Sequence, residues 1–346
     1  MAQQGNHRTG HQPTTEIDGQ ICFPFNTGTS EHINGTSSIR PAKKERIRNL
    51  SWISESLLTL YLFTASDFVS VLYPQTLFAL FSMLSNRFTV VSSQIEPPLP
   101  IYSRIFRVVL WIWLQLLVLD LANQRLPDSV SEDKLNKPWR PITSGRITVE
   151  GARRLLLVSI IITLAVSHYL GVTSEALLLF TENWMYNDLG LANSNWLIRN
   201  LINAIGITSI GAGATRVACG DLVFKVAPAA RWWLLCAGMI ATTIHVQDLY
   251  DQEGDAVRGR STVPLVYGDG IARWSVGAGV LIWSAVFPAC LNLHFREHWI
   301  GYVGPALLGM WFTARVLTLK GVSDDKRTFK VWALWTVCMY SLPLLA

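Results

Sequence analysis

Three aspartates with a regular spacing follow an apolar run in the second half of the chain. Asp248, Asp251 and Asp255 come after the run from Trp232 to Val246, and their spacing of i, i+3 and i+7 would place them on one face of a helix. Carboxylates this close repel one another and are costly near a bilayer unless a cation neutralises them. Mg²⁺ prefers oxygen ligands and commonly completes its shell with waters and substrate phosphates. The stretch therefore predicts a magnesium-dependent diphosphate site, against the alternative of a solvated acidic loop.

A second polar stretch lies in the first half of the chain and begins at Asp120. Pro127 disfavours an unbroken helix, so we expect Asn123 and Asp128 on either side of a break. Beyond that break Asp128 and Glu132 are four residues apart and can share a helix face. These carboxylates are candidate metal ligands together with Asn123 and with Asp248, Asp251 and Asp255.

Basic residues follow both acidic clusters. Lys137 and Arg140 follow the first cluster, and Arg258 and Arg260 follow the second. Cations beside a metal-bridged diphosphate would contact its outer oxygens, so Lys137, Arg140 and Arg258 are candidate substrate-binding residues. The alternative is a capped loop whose basic residues anchor it at the lipid interface. Two acidic clusters on the same side of a membrane would hold magnesium around one diphosphate and stabilise charge on the leaving group.

The composition places both clusters in a membrane protein. Half of the 346 residues are hydrophobic, 15% are charged and 14 are tryptophan. Long apolar segments recur from Leu57 onwards, which predicts an all-α integral membrane fold with nine transmembrane helices. The predicted spans cover about residues 55–84, 101–125, 149–171, 174–188, 195–218, 230–247, 270–292, 297–319 and 328–345, the fourth being short enough for a partial span.

Domain organisation and orientation follow from composition and charge. Residues 1–50 lack sustained apolar periodicity, and we expect a disordered cytosolic segment before a transmembrane catalytic domain over residues 51–346. With the N-terminus in the cytosol, the loops after even-numbered spans carry more Lys and Arg than the opposite loops, as the positive-inside rule requires. Both acidic clusters then face the cytosol, and the endoplasmic reticulum membrane is the expected location.

Several other classes of protein fit the sequence less well. The five cysteines form no CxxC pair, so neither a disulfide framework nor a zinc site is predicted. The net charge of +5 is not gathered into a basic stripe, so no nucleic-acid partner is expected, and no obligate protein partner is implied. A divalent-cation transporter is an alternative hypothesis. The acidic residues of a transporter would be expected near the bilayer midplane, whereas those of this chain are predicted at one face of the membrane.

The two motifs resemble those of the UbiA superfamily of intramembrane prenyltransferases, over roughly residues 50–346. The resemblance is carried by Asn123, the run Arg140-Pro141-Ile142-x-x-Gly145, and Asp248-x-x-Asp251-x-x-Gly254-Asp255 followed by Gly259 and Thr262-x-Pro264. The first motif departs from the usual N-D-x-x-D-x-x-x-D, since Gln124, Pro127 and Ser131 stand where aspartates are expected. This altered form is similar to the fungal UbiA-type sesquiterpene cyclases, the branch that includes the fumagillin pathway.

The resemblance implies nine helices around a cavity, a magnesium site and a prenyl diphosphate substrate. In the cyclase branch that substrate would be farnesyl diphosphate, or geranylgeranyl diphosphate in some relatives, and the product a terpene hydrocarbon such as a bergamotene-type sesquiterpene. Transfer of the prenyl group to an aromatic acceptor is the alternative. Because the first motif lacks three of the usual aspartates, Asp128, Glu132 and Asp133 are the candidates to replace the missing ligands. Asn123 and Asp128 are the favoured ligands, followed by Glu132.

Three further polar residues are candidates for the cavity. Asp67 is a lone carboxylate in the middle of the first span and should face the bundle interior, where it either pairs with another helix or contacts substrate. Tyr186 and Arg199 flank a short loop on the predicted cytosolic side and either contact the diphosphate or cap helices. A carbocation would need aromatic faces around it, and the first two spans offer candidates, namely Tyr61, Phe63, Phe68, Tyr73, Phe78, Trp111 and Trp113.

Overall fold

A computed structural model of the chain describes residues 41–85, 87–90, 100–220 and 223–345. The chain divides into two compact units, residues 1–50 and residues 51–346. Of the first unit, residues 41–50 are described and are helical. The sequence predicts disorder for residues 1–50; residues 41–50 are helical instead, and residues 1–40 lie outside the described residues.

The described residues are almost entirely helical. The helices are α1 (Pro41–Thr64), α2 (Tyr73–Leu84), α3 (Ile101–Gln124), α4 (Pro127–Asn136), α5 (Val149–Tyr169), α6 (Thr173–Asn187), α7 (Leu191–Ser194), α8 (Trp196–Cys219), α9 (Val226–Thr243), α10 (Gln252–Arg258), α11 (Val263–Tyr267), α12 (Asp269–Cys290), α13 (Ile300–Thr318) and α14 (Val322–Ser341). Short 3₁₀ segments follow α9 (Ile244–Leu249) and α14 (Leu342–Leu345). Two short strands, β1 (Thr89–Val90) and β2 (Val223–Phe224), pair antiparallel, with Thr89 opposite Phe224.

Each predicted span overlaps one of these helices. Within the described residues, six segments are long and apolar enough to cross a membrane: Trp52–Leu84, Ile101–Gln124, Trp196–Cys219, Asp269–Cys290, Ile300–Thr318 and Val322–Leu345. Helix α6 has 15 residues, which is about 22 Å at 1.5 Å per residue and shorter than a hydrocarbon core of about 30 Å. The prediction of an all-helical membrane protein is confirmed, whereas the count of nine crossings is not.

The first predicted span is interrupted in its middle. A 3₁₀ turn over Ala65–Asp67 and a π-helical turn over Phe68–Leu72 separate α1 from α2. Pro74 lies at the start of α2 and has no N–H to donate to the carbonyl of Ser70, which a regular helix would require. A wider turn accommodates this missing bond. The break turns most of residues 65–71 toward one cavity, Asp67 among them.

Small residues on α8 let neighbouring helices approach closely. A β-carbon at Gly213 would overlap the ring of Trp111 on α3, and one at Gly211 would lie 2.9 Å from Phe78 Cδ1 on α2. Trp111 is fully buried and its indole N–H donates to Ser167 Oγ on α5 at 3.0 Å. Close packing of this kind holds helices together where lipid removes the hydrophobic difference between them.

A buried ion pair joins α12 to α14. Arg273 donates to both carboxylate oxygens of Asp325, at 2.7 and 2.8 Å, and to the carbonyl of Val316 on α13 at 3.1 Å. Both side chains are almost fully buried. A bidentate geometry satisfies donors and acceptors that would otherwise be costly inside the bundle.

We predict that Gly213→Ala destabilises the bundle by about 1–3 kcal/mol, because the added methyl group forces the buried Trp111 ring to move. Thermal unfolding in detergent measures the change. Gly270→Ala on α12 is the matched control, since no atom lies within 4 Å of the new β-carbon. Equal midpoints for both variants would show that Gly213 does not set the distance between α3 and α8.

Candidate active site

A cavity of about 540 Å³ lies among the helices. It is lined by the interrupted first span, α3, α6, α8, the segment after α9 and α14. Its polar groups come from the C-terminal end of α3, the N-terminal end of α8 and the two acidic stretches. Its apolar groups include Leu116 on α3, Leu179 on α6, and Ile207 and Ile210 on α8. The volume is within the range of small-molecule sites.

The two acidic motifs meet at the polar end of this cavity. Helix α4 carries the first motif and packs against α10, which carries the end of the second. A β-carbon at Gly254 would overlap the amide of Asn136, so a glycine is required for this approach. The Asn136 amide lies 3.4 Å from the carbonyl oxygen of Asp251. The chain thus brings residues more than a hundred positions apart to one place.

Glu132 joins the motifs through two arginines. Arg258 Nη1 donates to one carboxylate oxygen at 2.8 Å and Arg260 Nη1 donates to the other at 2.9 Å. Burial raises the pKa of Glu132, but the Arg260 and Arg258 guanidiniums more than offset this and lower it to about 2. Glu132 is therefore a charged cross-link between the two motifs, and both of its oxygens are already bonded.

The aspartates of the second motif each keep one oxygen without a protein partner. Asp248 accepts from Arg199 Nη2 at 2.9 Å, and Arg199 also donates to the Tyr186 hydroxyl at 3.2 Å. Asp255 accepts from Arg260 at 2.7 Å. The second oxygens of Asp248 and Asp255 are buried and accept no hydrogen bond. Such oxygens are costly unless a cation or a ligand reaches them.

Asp251 lies between the motifs. Its Oδ2 is 3.5 Å from Lys137 Nζ, and its Oδ1 is buried without a partner. Burial raises the pKa of Asp251, with Lys137 acting in the opposite direction and Asp255 in the same direction. A divalent cation at this point would act against the effect of burial, since it favours the carboxylate over the acid.

The first motif contributes a mixed set of groups. Asn123 lines the cavity and accepts from Ser129 Oγ at 3.1 Å. Arg140 also lines it, and donates to both oxygens of Asp133, at 2.8 and 3.0 Å, and to Ser66 Oγ at 3.2 Å. Asp133 is therefore paired inside its own motif, and Arg140 is held at the cavity wall.

The donor set fits magnesium bound with the help of a ligand. Among the described residues, no group of three or more His, Cys, Asp or Glu side chains converges to enclose a metal ion. The second motif instead offers single oxygens on Asp248, Asp251 and Asp255, together with Asn123 of the first motif. Magnesium is commonly held in this way, by one or two carboxylates with waters and substrate phosphates.

Four predicted site residues do not line the cavity, namely Asp128, Asp248, Asp255 and Arg258. Asp248 and Asp255 are buried and pair with Arg199 and Arg260, which do line it. Asp128 is exposed at the start of α4 and does not line it, because Pro127 begins a new helix that turns this residue outward. Arg258 is buried against Glu132 and is also absent from the lining, whereas Arg260 is present. The remaining candidates line it, namely Asp67, Asn123, Glu132, Lys137, Arg140, Tyr186, Arg199 and Asp251.

Several residues that line the cavity were not among the site residues predicted from the sequence. Asp120 is fully buried with Oδ2 unpartnered, and its Oδ1 accepts from Gln124 at 3.1 Å. It precedes Asn123 by three residues, so a shared helix face was a usable signal. Glu182 is a lone carboxylate in an apolar segment, as Asp67 is. Lys326 and Lys330 on α14 also line the cavity, and nothing in their local sequence distinguishes them from interfacial lysines.

The aromatic lining differs from the candidates of the first two spans. It consists of Trp139, Phe180, Tyr186, Tyr250 and Phe329. Phe78 and Trp111 are instead buried in helix packing, and Tyr61 and Tyr73 are exposed. The aromatic faces around this cavity therefore come from later segments of the chain.

Comparisons with known proteins agree on one protein family. The model of the UbiA prenyltransferase family matches residues 88–336. The chain is 32% identical over 291 residues to a somaliensene A/B synthase of Streptomyces somaliensis, covering 83% of this chain and 90% of that one. It is also 32% identical over 241 residues to the fumagillin β-trans-bergamotene synthase of Aspergillus fumigatus, covering 69% and 77%.

A transferase and a solved structure extend the comparison. A polyprenyl transferase of Hericium erinaceus is 30% identical over 238 residues, covering 67% of this chain and 78% of that one. The fold matches a UbiA homolog from Archaeoglobus fulgidus bound to GPP and Mg²⁺, with a TM-score of 0.56 and 14% identity over 83% of this chain and 99% of that one. The chain therefore belongs to the UbiA prenyltransferase family, and is a membrane enzyme of the terpene cyclase and prenyltransferase type.

Proposed function

We propose that the protein is a magnesium-dependent class I terpene cyclase that ionises farnesyl diphosphate and closes the resulting cation to a sesquiterpene hydrocarbon, of the bergamotene type or a related skeleton. One observation carries the proposal: the unpartnered oxygen of Asp251 and several cations lie at the polar end of a cavity that also has apolar walls. A diphosphate fits the mouth and a prenyl chain fits the apolar part. The two synthases at 32% identity support cyclisation.

The metal ligands in this proposal come from both motifs. Asp248, Asp251 and Asp255 would hold Mg²⁺ through their unpartnered oxygens, together with Asn123. Asp251 and Asn123 line the cavity, and Asp248 and Asp255 are bound to arginines of its lining, Arg199 and Arg260. When bound, magnesium neutralises the diphosphate and stabilises the charge that develops on the leaving group. Asp128 faces away from the cavity and drops out of this set, while Glu132 positions Arg260 against Asp255.

The basic residues receive the departing diphosphate. Lys137, Arg140 and Arg199 line the mouth and bring donors to oxygens that the metal leaves exposed. Arg140 and Arg199 are fixed by Asp133 and Asp248, so they are oriented before substrate arrives. This arrangement stabilises the anion without a large movement of side chains.

The carbocation then lies against aromatic and apolar walls. Phe180, Tyr250 and Phe329 present rings to the cavity, and each ring face contributes about 0.5–2 kcal/mol of cation–π stabilisation. The surrounding helices exclude water, which would otherwise capture the cation. The contour of the walls then selects which ring closes.

Orientation in the membrane is part of the proposal. The excess of Lys and Arg in the loops after even-numbered spans supports a site that opens toward the cytosol, with the protein in the endoplasmic reticulum membrane. Farnesyl diphosphate would then enter with its charged end in the cytosol. A prenyltransferase acting on an aromatic acceptor is the second candidate, favoured by the 30% identity to a polyprenyl transferase.

Incubation without an acceptor distinguishes the two functions. We expect purified protein with Mg²⁺ and farnesyl diphosphate alone to release pyrophosphate and a hydrocarbon, because cyclisation needs no second substrate. Gas chromatography with mass spectrometry detects the product, and chelation of the metal should abolish it. Product formed only after a phenolic acceptor is added would replace the cyclase with the transferase.

Removal of a metal-facing carboxylate should slow ionisation. We expect Asp251→Asn and Asp255→Asn each to lower pyrophosphate release by about 100-fold or more, as the loss of a group that stabilises developing charge does. Glu253→Gln is the matched control, since Glu253 is an exposed carboxylate of the same motif. Asp128→Asn should resemble this control, and a loss as large as that of Asp251→Asn would return Asp128 to the ligand set. Near-normal release from both aspartate variants would remove them from the site.

The cross-link through Glu132 should depend on pH. Its pKa of about 2 lies below the ordinary value of 4.5, so its contribution to stability is complete above about pH 5 and is lost as pH falls toward 2. The difference between these pKa values corresponds to about 3 kcal/mol. We expect Glu132→Gln to lower the thermal midpoint at pH 7, and the gap from the unaltered protein to narrow as the pH falls below about 4.5.

Glu150→Gln supplies the control for that measurement, because Glu150 is exposed and pairs with Arg154 on the surface of α5. Its midpoint should stay close to that of the unaltered protein at every pH. A Glu132→Gln gap that is the same at pH 7 and at pH 3 would show that the charge of Glu132 does not hold the motifs together.

A further inference from the structure

Glu182 is a carboxylate of the cavity that takes no part in the proposed diphosphate site. Glu182 on α6 lines the cavity and is 8% exposed. Its Oε1 accepts a hydrogen bond from Ser209 Oγ on α8 at 3.0 Å. Its Oε2 is buried and accepts no hydrogen bond, and a β-carbon at Gly206 would lie 3.6 Å from it.

Glu182 differs from the three aspartates of the second motif in its surroundings. Asp248, Asp251 and Asp255 each lie beside a lysine or an arginine. In the part of the chain that the structure describes, no basic side chain forms an ion pair with Glu182, and its bonding is limited to one serine hydroxyl. A carboxyl group facing an apolar cavity without a cation is costly for stability alone. A chemical role toward the molecule in the cavity would explain why a group that lowers stability stands at this position.

Its position is along the hydrocarbon chain and not at the diphosphate. Tyr186, which contacts Arg199, lies one helical turn nearer the mouth on α6. Gly206, beside the carboxyl group, follows Arg199 by seven residues on α8, which is about 10 Å at 1.5 Å per residue. Leu179, Ile202 and Ile210 line the same part of the cavity. A prenyl chain with its diphosphate at the mouth would therefore pass beside Glu182.

We propose that Glu182 is a further catalytic residue, the base that removes a proton from the cyclised cation and so ends the reaction. This inference rests on the proposed cyclase function. The C–H bond next to the cationic carbon breaks, its electron pair becomes the new C=C bond, and the proton passes to Oε2 of the Glu182 carboxylate. The carboxyl group releases that proton to water when the product leaves. The sum of the reaction is prenyl diphosphate to hydrocarbon, pyrophosphate and one proton.

The hydrogen bond from Ser209 gives the base a direction. Because Oε1 is engaged, Oε2 is the oxygen that accepts the proton, and its place beside Gly206 fixes which carbon of the folded chain it reaches. Glu182 therefore selects the position of the double bond as well as ending the reaction. Removal of the base would leave the cation to lose a proton elsewhere or to be captured by water.

The test compares product distributions. We expect Glu182→Gln, which keeps the shape but is not a base, still to release pyrophosphate from farnesyl diphosphate. The share of its main hydrocarbon should fall at least tenfold, and other alkenes or an alcohol should replace it. Glu175→Gln on the same helix is the matched control, because Glu175 lies outside the cavity and pairs with Arg216. Its products should match those of the unaltered protein.

Two further variants keep the proposal open to refutation if Glu182→Gln does not fold, as judged by size-exclusion chromatography. Glu182→Asp retains a carboxylate but withdraws it by one methylene, and should shift the ratio of alkene isomers. Ser209→Ala removes the hydrogen bond to Glu182 Oε1 and should shift the ratio of alkene isomers less than Glu182→Asp does. An unchanged distribution in folded Glu182→Gln, or in both of the other variants, overturns the proposal.

The failure of the cyclase function itself has a separate signature. If the unaltered protein yields product only with a phenolic acceptor, the proposed function fails, and Glu182 would belong to an acceptor site. If it yields hydrocarbon without an acceptor and Glu182→Gln yields the same hydrocarbon, only the inference about Glu182 fails.

Discussion

The structure depends on the bonding of one buried carboxylate, Glu132, to two arginines. Helix α4 and helix α10 each carry acidic residues, and two acidic helices brought together would repel one another. Arg258 and Arg260 come from the second motif and bind the carboxylate of the first. Arg260 also binds Asp255, so the same cation that joins the motifs neutralises part of the site. The ion pairs between Glu132 of the first motif and the arginines of the second offset the repulsion between the acidic residues and hold the two motifs together.

The charges around the cavity are balanced only in part, and this is what gives the site its chemistry. Each aspartate of the second motif has one oxygen held by the protein or near a cation and one oxygen left without a partner. The held oxygen fixes the side chain, and the other oxygen is available to a metal. Arginines at the mouth are oriented by the same pairs and still face the cavity. We expect a site built in this way to bind an anion and its counter-ions together more tightly than either one alone.

Sequence reasoning recovered the elements of this site better than its details. Spacing and apolar length predicted the helices and the meeting of the two motifs, because both follow from local periodicity and from the cost of charge near lipid. The outward position of Asp128 was not predictable, since it depends on the angle at which α4 leaves the break at Pro127. The same limit applies to Arg258 and Arg260, two residues apart in sequence, of which only the second reaches the cavity. The first two spans offered aromatic candidates for the lining, but the rings that line the cavity are set by tertiary packing of α6, α14 and the loops.

The π-helical turn at Phe68–Leu72 has a consequence for how the chain tolerates insertions and deletions. A π turn holds one more residue than the α turn it replaces. Loss of one residue from this turn, with rewinding to a regular helix, would keep the following helix in phase, whereas rewinding without that loss would rotate everything after it by about 100° around the axis. Gln75 and Phe78 would then no longer meet Tyr340 on α14, to which they are now bonded and packed. The wide turn therefore sets the phase of α2 against its neighbours while it turns the backbone before α2 toward the cavity.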